Sequence, residues 1–264
     1  PMTESELSGA LRFEADKYIP FEVEDVTIDG QKLEDLDNDS SGEKEMRVLL
    51  CAVKKTLIQE HVSMIEELGL QSVAIDVDSF ALCNAFELRS LNSPRIEDED
   101  RIVALVDLGS SKTNINILKG NTSYFSREVY LAGDDLTEAI GRQLQIDTSE
   151  AEALKRNPEG REAEIEDAVS PVLDDLANEI HLSFDYFENQ FDREVVEVFV
   201  SGGGASTPGL ETVFERVFDR KIQLWDPTEN LELKGDKIDI EALKEHAAQL
   251  PIAVGLSSRL LDLS

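Results

Sequence analysis

The chain has 264 residues, room for one or two domains and a sizeable core, with 25 Lys plus Arg against 56 Asp plus Glu and so a net charge of −31. That balance argues against nucleic acid as a partner and against an electrostatic hold on anionic lipid, because phosphates of either kind would be repelled. Apolar residues make up 41%, too many for a disordered acidic chain, and the two cysteines and three scattered histidines suggest neither a disulfide framework nor a His/Cys metal centre.

Residues 3–18 carry Leu7, Ala10, Leu11, Ala15 and Tyr18 at helical spacing, with Thr3 and Glu6 placed as a capping box and Pro20 as the stop. Residues 23–33 and 46–53 have strand character, and the acidic EDLDNDSSGEKE between them reads as an exposed hairpin loop. Residues 56–68 form an amphipathic helix closed by Gly69. Residues 72–77 read as a short strand and 78–88 as a helix, giving α-β-β-α-β. RSLNSPRIEDEDR (89–101) mixes proline with acid and is the best linker in the chain.

Beyond it, Ile102–Val106 is a continuous apolar run typical of a buried strand. Strands follow at 113–118 and 123–129, joined at Gly120-Asn121, then helices at 134–145 and 149–156. Ile165, Val169, Val172, Leu176, Ile180, Phe184, Phe187 and Phe191 define a long amphipathic helix in which Ser170-Pro171 marks either the start or a kink. A strand at 195–200, a helix at 208–218, a short strand at 221–224 and an apolar helix at 250–261 complete an α/β pattern. No apolar run approaches the ~18 residues of a membrane span, and residues 1–10 do not read as a signal peptide, so a reducing cytoplasm is expected.

Two turns carry candidate chemistry. In Val106-Asp107-Leu108-Gly109-Ser110-Ser111-Lys112-Thr113 a strand ends at a carboxylate and reverses through a Gly/Ser turn, which can aim backbone amides and hydroxyls at one phosphate while Asp107 addresses Mg²⁺. In Val200-Ser201-Gly202-Gly203-Gly204-Ala205-Ser206-Thr207-Pro208 a strand enters three glycines, on which a flat ligand can lie directly. The spacing is neither G-x-G-x-x-G nor a Walker A motif.

Together these turns resemble the phosphate-2 and adenosine motifs of the actin-like (ribonuclease H-like) ATPase fold of actin, sugar kinases and FtsA, and Pro251–Leu256 resembles its second connecting helix, where Ala253 and Gly255 would allow close helix approach. Arg12–Val26, Ala74–Leu82, Glu150–Lys155 and Ser201–Leu210 resemble the PilM family of type IV pilus assembly, in order along nearly the whole chain. The resemblance implies a two-lobed α/β fold with an incomplete N-terminal subdomain: a 1C-like subdomain at 1–76, a connection and linker at 77–100, a second lobe at 101–225 with an outer insert at about 134–191, and a C-terminal segment at 226–264 returning to the first lobe. It implies ATP and Mg²⁺ as cofactors. Gly109, Ser110, Ser111 and Thr113 would surround the β- and γ-phosphates, Asp107 would address the metal, Glu152 and Lys155 would reach the ribose unless they are an ordinary solvated pair, and Gly202, Gly203 and Gly204 would carry adenine. Asp76 and Asp78 are the weak catalytic candidates, with a structural role favoured. Two departures stand out: Ser111 replaces the second glycine of D-x-G-x-G-x-T, and the phosphate-1 hairpin expected ahead of these elements is lacking, which implies at most a weak ATPase. The implied role is a cytoplasmic scaffold held at the inner membrane through the N-terminal cytoplasmic segment of PilN and other pilus assembly proteins, with no membrane insertion of its own. A sugar-kinase-like enzyme, an FtsA-like protein and a type II secretion component are the alternatives.

Overall fold

The computed structural model describes residues 2–37, 44–91, 100–229, 231–233 and 239–262. The middle of the expected acidic hairpin loop and most of the expected linker at 89–101 lie outside the described residues. The chain divides into two compact units, Pro1–Ile75 and Asp76–Ser264.

In the first unit, α1 (Glu4–Ala15) starts at the Thr3 cap, where the Glu6 amide reaches the Thr3 hydroxyl and the Glu6 carboxylate accepts from the Thr3 amide at 2.8 Å. It lies on an antiparallel hairpin of β1 (Val26–Asp37) and β2 (Lys44–Lys54), and its Leu7, Leu11 and Ala15 are buried. Both strands run further into the acidic stretch than their apolar pattern indicates, because ladder pairing continues to Asp37 and Lys44. A helix α2 (Lys55–Glu67) follows and ends at Gly69, whose φ of +74° suits a residue without Cβ. The expected strand at 72–77 is absent: the segment has no ladder partner, and Val73 and Ile75 are exposed. Alternation alone does not make a strand when no edge among the described residues pairs with it.

The second unit is a five-stranded sheet in the order β5-β4-β3-β6-β7. β3 (Ile102–Leu108), β6 (Glu197–Ser201) and β7 (Ile222–Leu224) are parallel, whereas β4 (Thr113–Lys119) and β5 (Thr122–Val129) form an antiparallel meander from β3. β3 is buried on both faces because its alternate residues serve two cores. Ala104, Val106 and Leu108 face a core shared with α4 (Gly133–Leu144), α5 (Thr148–Arg156), α6 (Glu162–Phe191) and α7 (Leu210–Phe218), whereas Val103 and Leu105 meet Leu82 and Phe86 of α3 (Asp78–Leu91) and Trp225. A short α8 (Ile240–Glu245), not anticipated from the sequence, precedes α9 (Pro251–Asp262).

Pro171 lies inside α6 and is not its start. A mid-helix proline costs about 3 kcal/mol, yet Ile165, Ala168 and Val169 upstream of it are all buried. Each of the larger two is worth roughly 1.5–3 kcal/mol, so packing outweighs the lost backbone bond.

α3 and α9 pack at backbone distance. A Cβ at Gly255 would fall on the Ala81 carbonyl, the close approach that the family resemblance implies, whereas Ala253, expected to share in it, is exposed. A further tie comes from Asp76, just before α3, whose Oδ2 accepts from Arg259 Nε of α9 at 2.8 Å and from Asn84 at 3.3 Å. Gly255→Ala must push these helices apart, and urea unfolding should show a loss of about 1–3 kcal/mol, whereas Ala253→Gly should cost no more than about 1 kcal/mol of helix propensity.

Candidate functional site

The two candidate turns lie side by side because β3 and β6 are hydrogen-bonded neighbours running the same way, with Asp107 opposite Ser201 in the register. The carboxyl ends of adjacent parallel strands are where open α/β sheets place ligands. Three glycines follow β6, and each meets a different environment. Gly202 takes φ +91°, and a Cβ there would overlap the Leu108 backbone. A Cβ at Gly204 would strike the Leu108 side chain, and the Gly204 amide donates to the Leu108 carbonyl at 3.0 Å. Gly203 meets nothing closer than the Gln249 side chain at 3.8 Å. Thus Gly202 and Gly204 are required by packing, and Gly203 is the one whose missing side chain leaves open surface.

Asp107 is 6% exposed. Its Oδ1 accepts from the Ser201 hydroxyl at 3.0 Å, and Asn114 of β4 also hydrogen-bonds it. Burial pushes this carboxyl above the ordinary carboxylate range, with the charge of Asp78 adding to the rise, against the opposing pull of Ser201 and Asn114. A divalent cation would relieve that desolvated charge, so the donor set fits Mg²⁺ or its bound water.

The turn after β3 closes through the Gly109 amide to the Lys112 carbonyl at 3.1 Å. Ser111 has no positive φ, a conformation that Gln145, Glu159, Asp192 and Asp219 adopt instead, so serine sits there without the steric cost of a left-handed backbone. The amides of Ser110 and Ser111 have no partner among the described residues. Behind the turn, the carbonyls of Gly109 and Ser110 accept from the first amides of α4, Gly133 at 3.0 Å and Asp134 at 2.7 Å. The N-terminus of α4 is therefore spent on the turn and, carrying Asp134 and Asp135, does not itself offer an anion site.

Other expected residues fall elsewhere. Thr113 is fully buried and its hydroxyl donates to the Leu131 carbonyl at 2.8 Å, which anchors β4 to the segment before α4 and turns it away from the loop. Asp76 is locked by Arg259. Asp78 pairs with Lys112 at 2.8 Å, and Lys112 also reaches Glu128 at 2.7 Å. Burial opposes the Lys112 charge, but these two carboxylates hold its ammonium above the usual lysine range.

Glu152 and Lys155 are not a solvated pair. Lys155 is 7% exposed, and its ammonium donates to the Gly133 carbonyl at 2.7 Å and the Thr137 hydroxyl at 2.6 Å and pairs with Glu152 at 2.6 Å. Partial burial alone would raise the Glu152 carboxyl, but hydrogen bonds from Lys155, Thr137 and Arg156 bring it down to about 2. Gly133 and Thr137 were not singled out from sequence; the signal was the Leu131-Ala132-Gly133-Asp134 start of a helix directly after a strand.

Over residues 1–260 the chain matches the family described as type IV pilus assembly protein PilM. A solved PilM–PilN type IV pilus biogenesis complex shares the fold with a TM-score of 0.82 and 30% identity, covering 98% of this chain and 73% of that one. Ethanolamine utilization protein EutJ of Salmonella typhimurium is 25% identical over 192 residues, 67% of this chain, and the chain spans only 65% of that relative's length. MreB5 of Spiroplasma citri bound to ADP, at 13% identity and a TM-score of 0.58 over 80% of this chain and 67% of that one, shares the fold.

The environment of Asp107 has a measurable consequence. Its pKa is raised on folding, so the native state binds the extra proton and stability falls as pH climbs from the ordinary carboxylate range through the folded value. Asp107→Asn should therefore be more stable than the parent at neutral pH, and the gap should shrink as pH is lowered; thermal melts between pH 4 and 8 read this directly.

Proposed function

The chain belongs to the type IV pilus assembly protein PilM family, and from that premise we propose that it is a cytoplasmic actin-like scaffold that binds Mg·ATP at the two turns described above and the N-terminal cytoplasmic segment of a PilN-type protein. The observation that carries the nucleotide half is the pairing of two unlike turns on adjacent parallel strands. One is open and flat at Gly203, and the other carries the unpartnered amides of Ser110 and Ser111 beside a buried carboxylate. A purine needs a surface without side chains and a phosphate needs donors, and the two sit at the strand ends where this fold class binds ligands. Asp107 would hold Mg²⁺, which supplies the positive charge that a phosphate needs in so acidic a protein.

For the partner half, the support is a groove of about 660 Å³ in the first unit, between α1 and β2, lined by apolar side chains including Leu7, Leu11, Met46, Val48 and Leu50. An extended segment with apolar anchors fits such a groove, and a PilM–PilN complex is among the solved relatives. Among the described residues no helix is long and apolar enough to cross a membrane. On this reading the membrane partner places the scaffold at the inner membrane.

Three variants separate these claims. Gly203→Val meets open space, so stability should stay within about 0.5 kcal/mol, yet adenosine affinity by isothermal titration should fall at least tenfold, about 1.4 kcal/mol. Asp107→Ala should weaken Mg·ATP and leave adenosine unchanged. Equal affinities across both variants and the parent would remove the nucleotide assignment. Ala10→Trp fills the groove at a cost of a few tenths of a kcal/mol in helix propensity, and should lower binding of a synthetic PilN N-terminal peptide at least tenfold; undiminished binding would place the partner elsewhere.

A further inference from the structure

Lys155 stands behind the phosphate-facing turn, and the hydrogen bonds between them form one continuous series. Its ammonium donates to the Gly133 carbonyl at 2.7 Å. That carbonyl belongs to the Gly133–Asp134 peptide group, whose N–H donates to the Ser110 carbonyl at 2.7 Å. The Ser110 carbonyl belongs in turn to the Ser110–Ser111 peptide group, whose N–H is one of the unpartnered donors of the turn. A parallel bond from the Gly133 amide to the Gly109 carbonyl at 3.0 Å keeps the register.

We propose that Lys155 is a positioning residue: acting through these two peptide groups, its charge fixes and polarises the Ser111 amide and so sets the affinity of the turn for a phosphate, without touching the nucleotide. Hydrogen bonds in series polarise one another, by about 10–30% per bond, and a cation at the carbonyl end of a peptide strengthens the N–H at the other end. The proposal rests on reading the turn as a phosphate site.

Two features oppose a direct sugar contact. Lys155 has three protons, and the Gly133 carbonyl, the Thr137 hydroxyl and Glu152 take all three at 2.6–2.7 Å. At 7% exposure none is left for a ribose hydroxyl. Packing alone does not account for the lysine either, since burying an ammonium costs free energy that an apolar residue of the same length avoids. Glu152 only partly cancels the charge, because its other oxygen is shared with Arg156 at 2.7 Å.

The test uses the whole chain and its Lys155→Met, Lys155→Gln and Lys155→Arg variants. In the parent, the Asp134 amide should exchange with solvent as slowly as core amides; exchange at loop rates would overturn the proposal without any variant. Nitrogen–proton spectra should show the Asp134 and Ser111 amide protons moving upfield in Lys155→Met and Lys155→Gln and retained in Lys155→Arg. Unmoved Ser111 resonances in folded neutral variants would also overturn it. In titrations the neutral variants should lose about tenfold in Mg·ATP affinity with adenosine unchanged, and equal losses for both ligands would mean a direct sugar contact. If the parent binds neither ligand, the phosphate reading of the turn fails, while the exchange and spectral results still decide whether the relay exists.

Discussion

The second unit depends on one close approach of backbone to backbone. Gly202 and Gly204 lie against Leu108, the last residue of β3, at a separation that leaves no room for a side chain at either glycine. Because that contact is steric, it fixes where β6 must end relative to β3, and with it the spacing of the two turns that follow. The Gly204 amide bond to Leu108 and the Ser201 bond to Asp107 then lock the same two strand ends from adjacent residues. Everything chemically distinctive in the chain hangs from this junction: the buried carboxylate just before Leu108, the donor-bearing turn just after it, and the flat surface at Gly203.

The charge of the protein makes this arrangement informative. A net charge of −31 should repel a nucleotide, and the cations near the turn are already spoken for. Lys112 lies between Asp78 and Glu128, and Lys155 is enclosed by Glu152, Thr137 and Gly133. What the turn can still offer an anion carries no net charge: its backbone amides and the exposed Ser110 and Ser111 hydroxyls. Amides are dipoles without net charge, and they attract at short range only when held still. That requirement explains why so much of the hydrogen bonding around Gly109 and Ser110 comes from behind, where the first amides of α4 fasten the turn that would otherwise have to be ordered at the moment of binding.

How much of this was legible in sequence follows from the type of signal each feature leaves. β3 was readable because burial on both faces demands an unbroken apolar run, and the glycine triplet because few other arrangements need it. At 251–262 the family resemblance pointed to Gly255 and Ala253 alike, and only the packing on Ala81 shows that the glycine alone makes the close approach. Lys155 was opaque: Glu152 and Lys155 one turn apart look the same on a solvated face as in a buried one, and only the packing of α5 on α4 decides between them. The early start of α6 was hidden by Pro171, whose local cost is plain in the sequence while the distant packing that overrides it is not. The stretch at 72–77 erred the other way, since alternation records a preference for pairing and cannot report whether a partner strand is present.

The engagement of the carboxylates bears on what a bound nucleotide would do. A general base must hold an unprotonated oxygen toward a water. Asp76 is 4% exposed at its side chain and bonded to Arg259 and Asn84, Asp78 is paired with Lys112, and Asp107 is held by Ser201 and Asn114. Each of the three is therefore already oriented by partners, and the Asp76–Arg259 pair also ties α9 to the segment just before α3, so protonating Asp76 would weaken that tie. On the nucleotide reading proposed above, a ligand that bridges the open surface at Gly203 and the held amides of Ser110 and Ser111 would add ties between the two strand ends without displacing any of these partnerships.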